Sequence, residues 1–518
     1  MKDQIAVRMM DITKTFGPVV ANDKVTMDIR YGEILSILGE NGSGKTTLMN
    51  MLAGLYYPDS GNIFIDGKEV SIASPHDAYA LGIGMIHQHF KLIDVFTAAE
   101  NIILGMPSDK NHYNLSEVNN KVKAICEQYG FDIDPKQKVY DMSVAQKQTL
   151  EIVKILYRGA NILILDEPTA VLTPQETEKL FAVLKAMRKD GKAVVLITHK
   201  LNEVLELSDR VTILRKGRYI STIPTAVADE QILTEKMVGQ KVELDIDRPE
   251  PVNPEKRIEV KNLSVLNGDG VKVLDDVSFT LNSGEILGIA GISGCGQKEL
   301  LEAIAGLQKV QPGGVIEYND EDGSVKNLVG AKPRQIRSYG IHLSFVPEDR
   351  LGMGLVASMG MTGNMMLKDY DKGNSFFLNR KEPLELANTI MKELDVSTPS
   401  VETPVRQLSG GNVQKVLVGR EIAASPTVLM TAYAVRGLDI SKSYTIYHLL
   451  NQQKQKGVAV IYVGEDLDVL LALSDRILVL CNGHENGVLD ARTTTKEEVG
   501  RRMTDLVSGK ENSNEGSI

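Results

Sequence analysis

Hydrophobic and polar positions along this chain fall into two alternating patterns. Short runs such as Ile34-Leu-Ser-Ile-Leu38, Asn161-Ile-Leu-Ile-Leu165 and Ala193-Val-Val-Leu-Ile197 have the length and β-branched content of buried strands. Between them lie amphipathic stretches at helical spacing, and the early part of each half is richer in β-type residues. The alternation predicts an α/β core with parallel strands and a smaller antiparallel β portion. Residues around 90–160 read as mostly helical and predict a side lobe.

The pattern also repeats. Gly32-Glu-Ile-Leu-Ser-Ile-Leu-Gly39 returns as Gly284-Glu-Ile-Leu-Gly-Ile-Ala-Gly291, an offset of 284 − 32 = 252. Leu52-Ala-Gly-Leu55 is echoed by Ile304-Ala-Gly-Leu307, and Leu207-Ser-Asp-Arg-Val211 by Leu473-Ser-Asp-Arg-Ile477. So long a period means a duplicated domain, because solenoid units run about 20–50 residues. The expected division is a first domain over 1–243, a linker over 244–256, a second domain over 257–507 and a disordered tail over 508–518. The linker contains Asp245-Ile-Asp-Arg-Pro-Glu-Pro-Val-Asn-Pro254, acidic and broken by proline.

Composition narrows the function classes. At 518 residues the chain needs more than one core, and 42% hydrophobic with 24% charged residues is ordinary for a globular protein. The balance of 58 basic against 68 acidic residues argues against a nucleic-acid surface, so no nucleic-acid partner is expected. Three scattered cysteines suit a reducing compartment and form neither a disulfide framework nor a zinc site. There is no signal-peptide h-region and no apolar run near the about 18 residues that span a bilayer. A membrane role therefore requires a partner.

The chemistry centres on Gly39-Glu40-Asn41-Gly42-Ser43-Gly44-Lys45-Thr46-Thr47, between an apparent strand and the apparent helix start Leu48–Gly54. Strand, glycine-rich loop and helix start make a phosphate cradle whose backbone N–H groups point at phosphate oxygens. Lys45 supplies a cation for the terminal phosphates, and Thr46 a hydroxyl for Mg²⁺. Ile162-Leu-Ile-Leu-Asp166-Glu167 ends a strand in two acids: Asp166 suits magnesium, and Glu167 suits polarising the attacking water. His199, after another apolar strand, is open to two readings, a γ-phosphate contact or a structural histidine. Gln88 follows Gly84-Met-Ile-His87 and is placed to sense the γ-phosphate through Mg²⁺. Phe16 either stacks on adenine or belongs to the core.

Taken together the set resembles the ATP-binding-cassette (ABC) family over nearly the whole chain. The resemblance implies two tandem ABC nucleotide-binding domains, each a P-loop α/β core with an antiparallel β portion and a helical signature lobe. By that resemblance Gly39–Thr46 is the Walker A loop, Asp166 the Walker B acid and Glu167 the catalytic glutamate. His199 becomes the switch histidine, Gln88 the Q-loop and Phe16 the adenine-stacking aromatic. Thr46, Gln88 and Asp166 become the magnesium set. The signature is Leu408-Ser409-Gly410-Gly411-Asn412, in the second half.

Each half breaks different motifs. In the second, Gln297 stands where Lys45 does, Lys298 where Thr46 does, and Ala432 and Tyr433 replace the two acids. Glu465 replaces His199, Glu348 replaces Gln88, and no aromatic lies between Ile258 and Ser278. The first half instead has Met142-Ser-Val-Ala-Gln146 at the signature position. In the family, cassettes pair head to tail, each site joining one P-loop to the opposite signature. The losses, including Thr173 in place of the D-loop Asp439, then fall together in one composite site. One competent and one degenerate site are expected.

Tandem cassettes with a degenerate second half resemble the ATPases of bacterial simple-sugar importers. Gly82-Ile-Gly-Met-Ile-His-Gln-His-Phe90 and Phe96-Thr-Ala-Ala-Glu-Asn-Ile102 look nearest the nucleoside-importing branch, with ribose- or galactose-type importers as the alternative. This implies ATP and Mg²⁺, two membrane permease subunits and, indirectly, an extracytoplasmic substrate-binding lipoprotein. It also implies peripheral attachment at the cytoplasmic face of the membrane; self-association of the chain stays open. A soluble tandem-cassette translation factor fits less well: such proteins carry a long charged connector and two intact sites.

Overall fold

The computed structural model describes residues 4–87, 90–106, 114–170, 172–239, 245–251, 253–292, 294–368, 378–438 and 440–505. Contacts divide the chain into Met1–Glu243 and Leu244–Ile518.

The first unit opens with two long strands, β1 (Ile5–Phe16) and β2 (Val19–Arg30), then β3 (Ile34–Leu38) and helix α1 (Lys45–Leu52). There follow β4 (Ser60–Ile65), β5 (Lys68–Val70), α2 (Pro75–Ala80) and β6 (Ile83–Ile86). A helical lobe comes next: α3 (Ala98–Ile103), α4 (Leu115–Tyr129) and α5 (Val144–Tyr157). The chain then returns through β7 (Ile162–Asp166), α6 (Pro174–Lys189), β8 (Ala193–Thr198), α7 (Leu201–Leu207), β9 (Arg210–Arg215), β10 (Arg218–Pro224) and α8 (Glu230–Val238).

Two sheets result. Strands β2-β1-β4-β5 form an antiparallel layer, and β10-β9-β3-β8-β7-β6 form a sheet that is parallel except at β10. Every residue of β3, β7 and β8 is buried, which is why their sequences read as continuous apolar runs. Helix α1 packs between the antiparallel layer and one face of the parallel sheet, while α5 and α6 cover the other face. The lobe has its own small core around Val122, Val139 and Leu150.

The second unit repeats this plan. Its antiparallel layer runs Lys272–Asn282, Lys256–Leu266, Val315–Asn319, Val325–Asn327. Its larger sheet runs Leu343–Val346, Val428–Ala432, Ala459–Val463, Ile286–Ala290, Arg476–Cys481, His484–Asp490.

The helix after the loop starts at Lys45, three residues ahead of the reading from sequence, because the end of the loop itself takes helical backbone. It stops at Leu52: Gly54 has φ 72°, and a Cβ there would lie 2.2 Å from the Ser74 carbonyl oxygen.

The acidic, proline-rich stretch is fastened to the second unit. Arg248 donates to the carbonyls of Leu471 and Ser474, Asn451 donates to Asp247 O, and Lys454 donates to Pro249 O. Lys454 also pairs with Asp475 at 2.7 Å, and the two side chains are only 1% and 7% exposed. Burial draws the Lys454 ammonium below the usual lysine range, against the pull of Asp475. The matching pair of the first unit, Arg188 and Asp209, is 30% and 41% exposed. Lys454→Ala should therefore cost about 2–3 kcal/mol, since it leaves the buried Asp475 carboxylate only the longer Arg492 contact at 3.4 Å and the Ile286 N–H, whereas Arg188→Ala should cost under about 1 kcal/mol. Urea unfolding read by hydrogen exchange at 440–490 and 174–215 checks this; equal costs would contradict it.

Candidate active site

Fold and sequence meet at the loop between β3 and α1. Gly39 and Gly44 are held by packing: a Cβ would lie 2.4 Å from Leu214 O at the first and 2.3 Å from Ala21 O at the second. Gly42 and Gly44 also have φ of 79° and 93°, which favours glycine. Helix α1 has no side-chain cap and no acid in its first turn, so its N–H groups and positive dipole end remain available to an anion. Ser43 is buried and its Oγ has no hydrogen-bond partner. A cradle with an orphaned hydroxyl and an uncapped helix is fitted to phosphate.

Lys45 is buried, and its Nζ donates to Gly39 O at 2.6 Å and Glu40 O at 3.0 Å. Burial lowers its pKa, opposed by the charges of Glu167, Asp166 and Glu40. Thr46 Oγ1 donates to Asp166 Oδ2 at 3.1 Å. Burial, with Glu167 alongside, raises the Asp166 carboxyl, while the Thr46 hydroxyl and Lys45 oppose that rise. No group of three or more His, Cys, Asp or Glu among the described residues is arranged to hold a metal ion by itself. Two hard oxygens side by side at a phosphate cradle nevertheless suit magnesium, which takes few protein ligands and completes its shell with phosphate oxygens and water.

Glu167 follows β7 with φ 48°, in the left-handed region, while its N–H is tied to Ile197 O at 2.9 Å. Its Oε1 lies 2.8 Å from His199 Nδ1, a contact that is the main reason its carboxyl sits below the usual glutamate range. Phe16 is 43% exposed at the end of β1, so the core reading of this residue fails. Lys45, Thr46, Asp166, Glu167 and His199 are thus joined by contacts or charge in one constellation. Glu40 and Asn41 lie in the loop, Thr47 in α1, and Gln88 lies outside the described residues.

The family described as ABC transporter matches this chain over residues 22–170 and 274–431. The chain belongs to the ABC transporter family. As an ABC transporter chain it binds ATP and catalyses its hydrolysis. It is 40% identical to the nucleoside import ATP-binding protein NupA of Lactococcus lactis subsp. cremoris, over 97% of this chain and 99% of that one. Identity is also 40% to the guanosine import ATP-binding protein NupO of Bacillus subtilis, covering 98% and 100%. To the ribose import ATP-binding protein RbsA of Corynebacterium glutamicum it is 36%, covering 94% and 91%. The archaeal ribosome recycling factor aABCE1, solved with the stalk protein aP1, overlays 93% of this chain and 90% of its own with TM-score 0.60. At 15% identity that likeness shows a shared tandem fold only.

The second cassette keeps the backbone of the site and loses its chemistry. Gly296 has φ 94°, matching Gly44, and Tyr433 has φ 53°, matching Glu167. Gln297 Nε2 donates to Ile292 O at 3.0 Å, so it braces the loop as Lys45 does but without charge. The helix Gln297–Ile304 carries Glu299 in its first turn, an acid where α1 has none. Arg436 joins the two replaced sensor positions: its Nη1 meets Glu348 Oε1 at 2.5 Å and its Nε meets Glu465 Oε1 at 3.2 Å. Its guanidinium lies 5.8 Å from the Tyr433 ring centroid. Sequence reading missed this bracket, although two acids at switch positions were a signal for a nearby cation.

The signature residues sit at a helix start. Ser409 caps the helix Gly410–Ala423 by accepting from Asn412 N at 3.4 Å, and Arg350 donates to Gly410 O at 3.1 Å. In the first cassette Ser143 caps α5 in the same way, with Val144 and Ala145 in place of the two glycines. Asp439 lies outside the described residues.

Proposed function

We propose that this chain is the ATP-hydrolysing subunit of a nucleoside importer, working at the cytoplasmic face of the membrane on two permease subunits. A substrate-binding lipoprotein would feed those permeases from outside. The carrying observation is the 40% identity, over nearly full length, to chains named for nucleoside and guanosine import, against 36% to one named for ribose. No helix among the described residues is long and apolar enough to cross a membrane, which accords with separate permeases. The segments 88–105 and 348–367, after the two Q-loop positions, are the proposed permease contacts.

One composite site would do the chemistry. Phe16 stacks on adenine, and the loop Gly39, Glu40, Asn41, Gly42, Ser43, Gly44 wraps the phosphates with Thr47 beside it. Lys45 exchanges its loop carbonyls for phosphate oxygens. Thr46, Asp166 and Gln88 would hold magnesium, which when bound neutralises charge on the β- and γ-phosphates. Glu167 orients the attacking water and His199 holds the γ-phosphate side. Ser409, Gly410 and Gly411 close the site from the second cassette, where their helix start adds N–H donors.

The test is uptake. Deleting the gene should abolish uptake of labelled nucleosides and leave ribose and galactose uptake intact. Unchanged nucleoside uptake beside lost sugar uptake would replace this reading with the simple-sugar one.

A further inference from the structure

The aromatic ring proposed to stack on the base does not stand alone. After α1 the chain turns at Gly54, and residues 55–59 run back to the end of β1. There Tyr56 meets Phe16 edge-on, with ring centroids 5.2 Å apart and planes at 71°. Both rings are partly exposed, Phe16 by 43% and Tyr56 by 39%, so the pair is not core packing. Asp59 fastens the same strand end. Its N–H donates to Thr13 O at 2.8 Å, and its carboxylate accepts from Lys14 Nζ at 2.8 Å and from Thr15 N and Oγ1 at 2.7 Å each. Lys14 Nζ in turn sits 5.6 Å from the Phe16 ring centroid. The segment behind the helix that carries Lys45 and Thr46 therefore also braces the base end.

The duplicated cassette supplies an internal control. Leu55-Tyr56 corresponds to Leu307-Gln308, and Asp59 to Gln311. The backbone tie survives, because Gln311 N–H donates to Ser264 O at 2.9 Å. The side-chain parts are all gone: Gln308 replaces the ring, Gln311 replaces the carboxylate, and no aromatic lies between 258 and 278 to be braced. If Tyr56 served the fold, the second cassette would need its counterpart as much as the first does. The bracket instead accompanies the intact phosphate loop and vanishes with it.

We propose that Tyr56 is a positioning residue for the nucleotide base, its ring edge holding Phe16 in the orientation that stacks on adenine. This rests on the reading of Phe16 given above. An unbraced exposed ring would sample several rotamers and lose ordering entropy on binding; a braced one has lost it already. An edge-to-face pair of this kind is worth about three- to tenfold in affinity.

The experiment measures ATP binding to the full chain and, separately, competition by inorganic tripolyphosphate, which has phosphates but no base. Tyr56→Ala should weaken ATP binding about three- to tenfold and leave tripolyphosphate competition unchanged, while Tyr56→Phe should bind like the parent chain. Phe16→Ala should weaken ATP similarly, and adding Tyr56→Ala to it should cost nothing more. The proposal falls if Tyr56→Ala binds ATP normally, if tripolyphosphate weakens equally, or if the two losses add. If Phe16→Ala itself binds ATP normally, it is base stacking by Phe16 that fails.

Discussion

Lys45→Ala and Glu167→Gln should each cut ATP turnover by the assembled transporter about a hundredfold or more. Gln297→Ala, at the equivalent position of the second cassette, should leave turnover within about twofold. The γ-phosphoryl group gathers negative charge as its bond breaks, and the Lys45 ammonium is the fixed charge of the loop already held among its carbonyls. Losing one preorganised group of that kind commonly costs about 3 kcal/mol or more. Glu167→Gln keeps the shape but removes the carboxylate that His199 holds ionised at 2.8 Å. Gln297 carries no charge and only braces its loop through Ile292 O, so truncating it takes nothing from a transition state. Phosphate release by the reconstituted transporter measures all three. Normal turnover in Lys45→Ala, or loss of turnover in Gln297→Ala, would reverse the assignment of competent and degenerate loops.

Ser409→Arg should abolish hydrolysis while leaving ATP binding near that of the parent chain, although the two positions lie 409 − 45 = 364 residues apart. Ser409 caps the helix Gly410–Ala423, whose first two residues are glycines without side chains to obstruct a phosphate. An arginine at the cap adds bulk there and removes the hydroxyl that Asn412 N–H uses. On the composite-site proposal, ATP held at Lys45 would then lack its closing partner. Ser143→Arg is the matched comparison: it makes the same change at a helix start that already carries Val144 and Ala145, and should cost much less. Turnover and equilibrium ATP binding, measured side by side, separate closure from affinity. Normal hydrolysis in Ser409→Arg would show that the halves do not share this site.

Much of this site was legible because its chemistry is local in sequence. The cradle needs nine consecutive residues, and the strand-end acids need one apolar run before them. The left-handed φ of Glu167 and Tyr433 is set by the strand-to-loop corner, which the duplication preserves even where the acids are gone. Contacts between distant segments were not legible. Tyr56 lies 40 residues from Phe16, and only the paired loss at Gln308 and across 258–278 hints at their partnership. Nothing local marks Arg436, although Glu348 and Glu465 meet on it. The acidic stretch read as a linker, and its composition gave no sign that Lys454 and Asn451 bind its carbonyls to the second cassette.

The Arg436 bracket makes the decay of the second site a one-way street. Gln297→Lys and Lys298→Thr would restore the letters of the loop, and Ala432→Asp with Tyr433→Glu the two acids. Four reversions would still place those acids beside Glu348 and Glu465, with Arg436 already committed to both carboxylates. Each single reversion changes the charge beside this bracket without restoring a working site, so none is rewarded alone. A descendant of this chain reaches two working sites more readily by a fresh duplication of the first cassette than by mending the second.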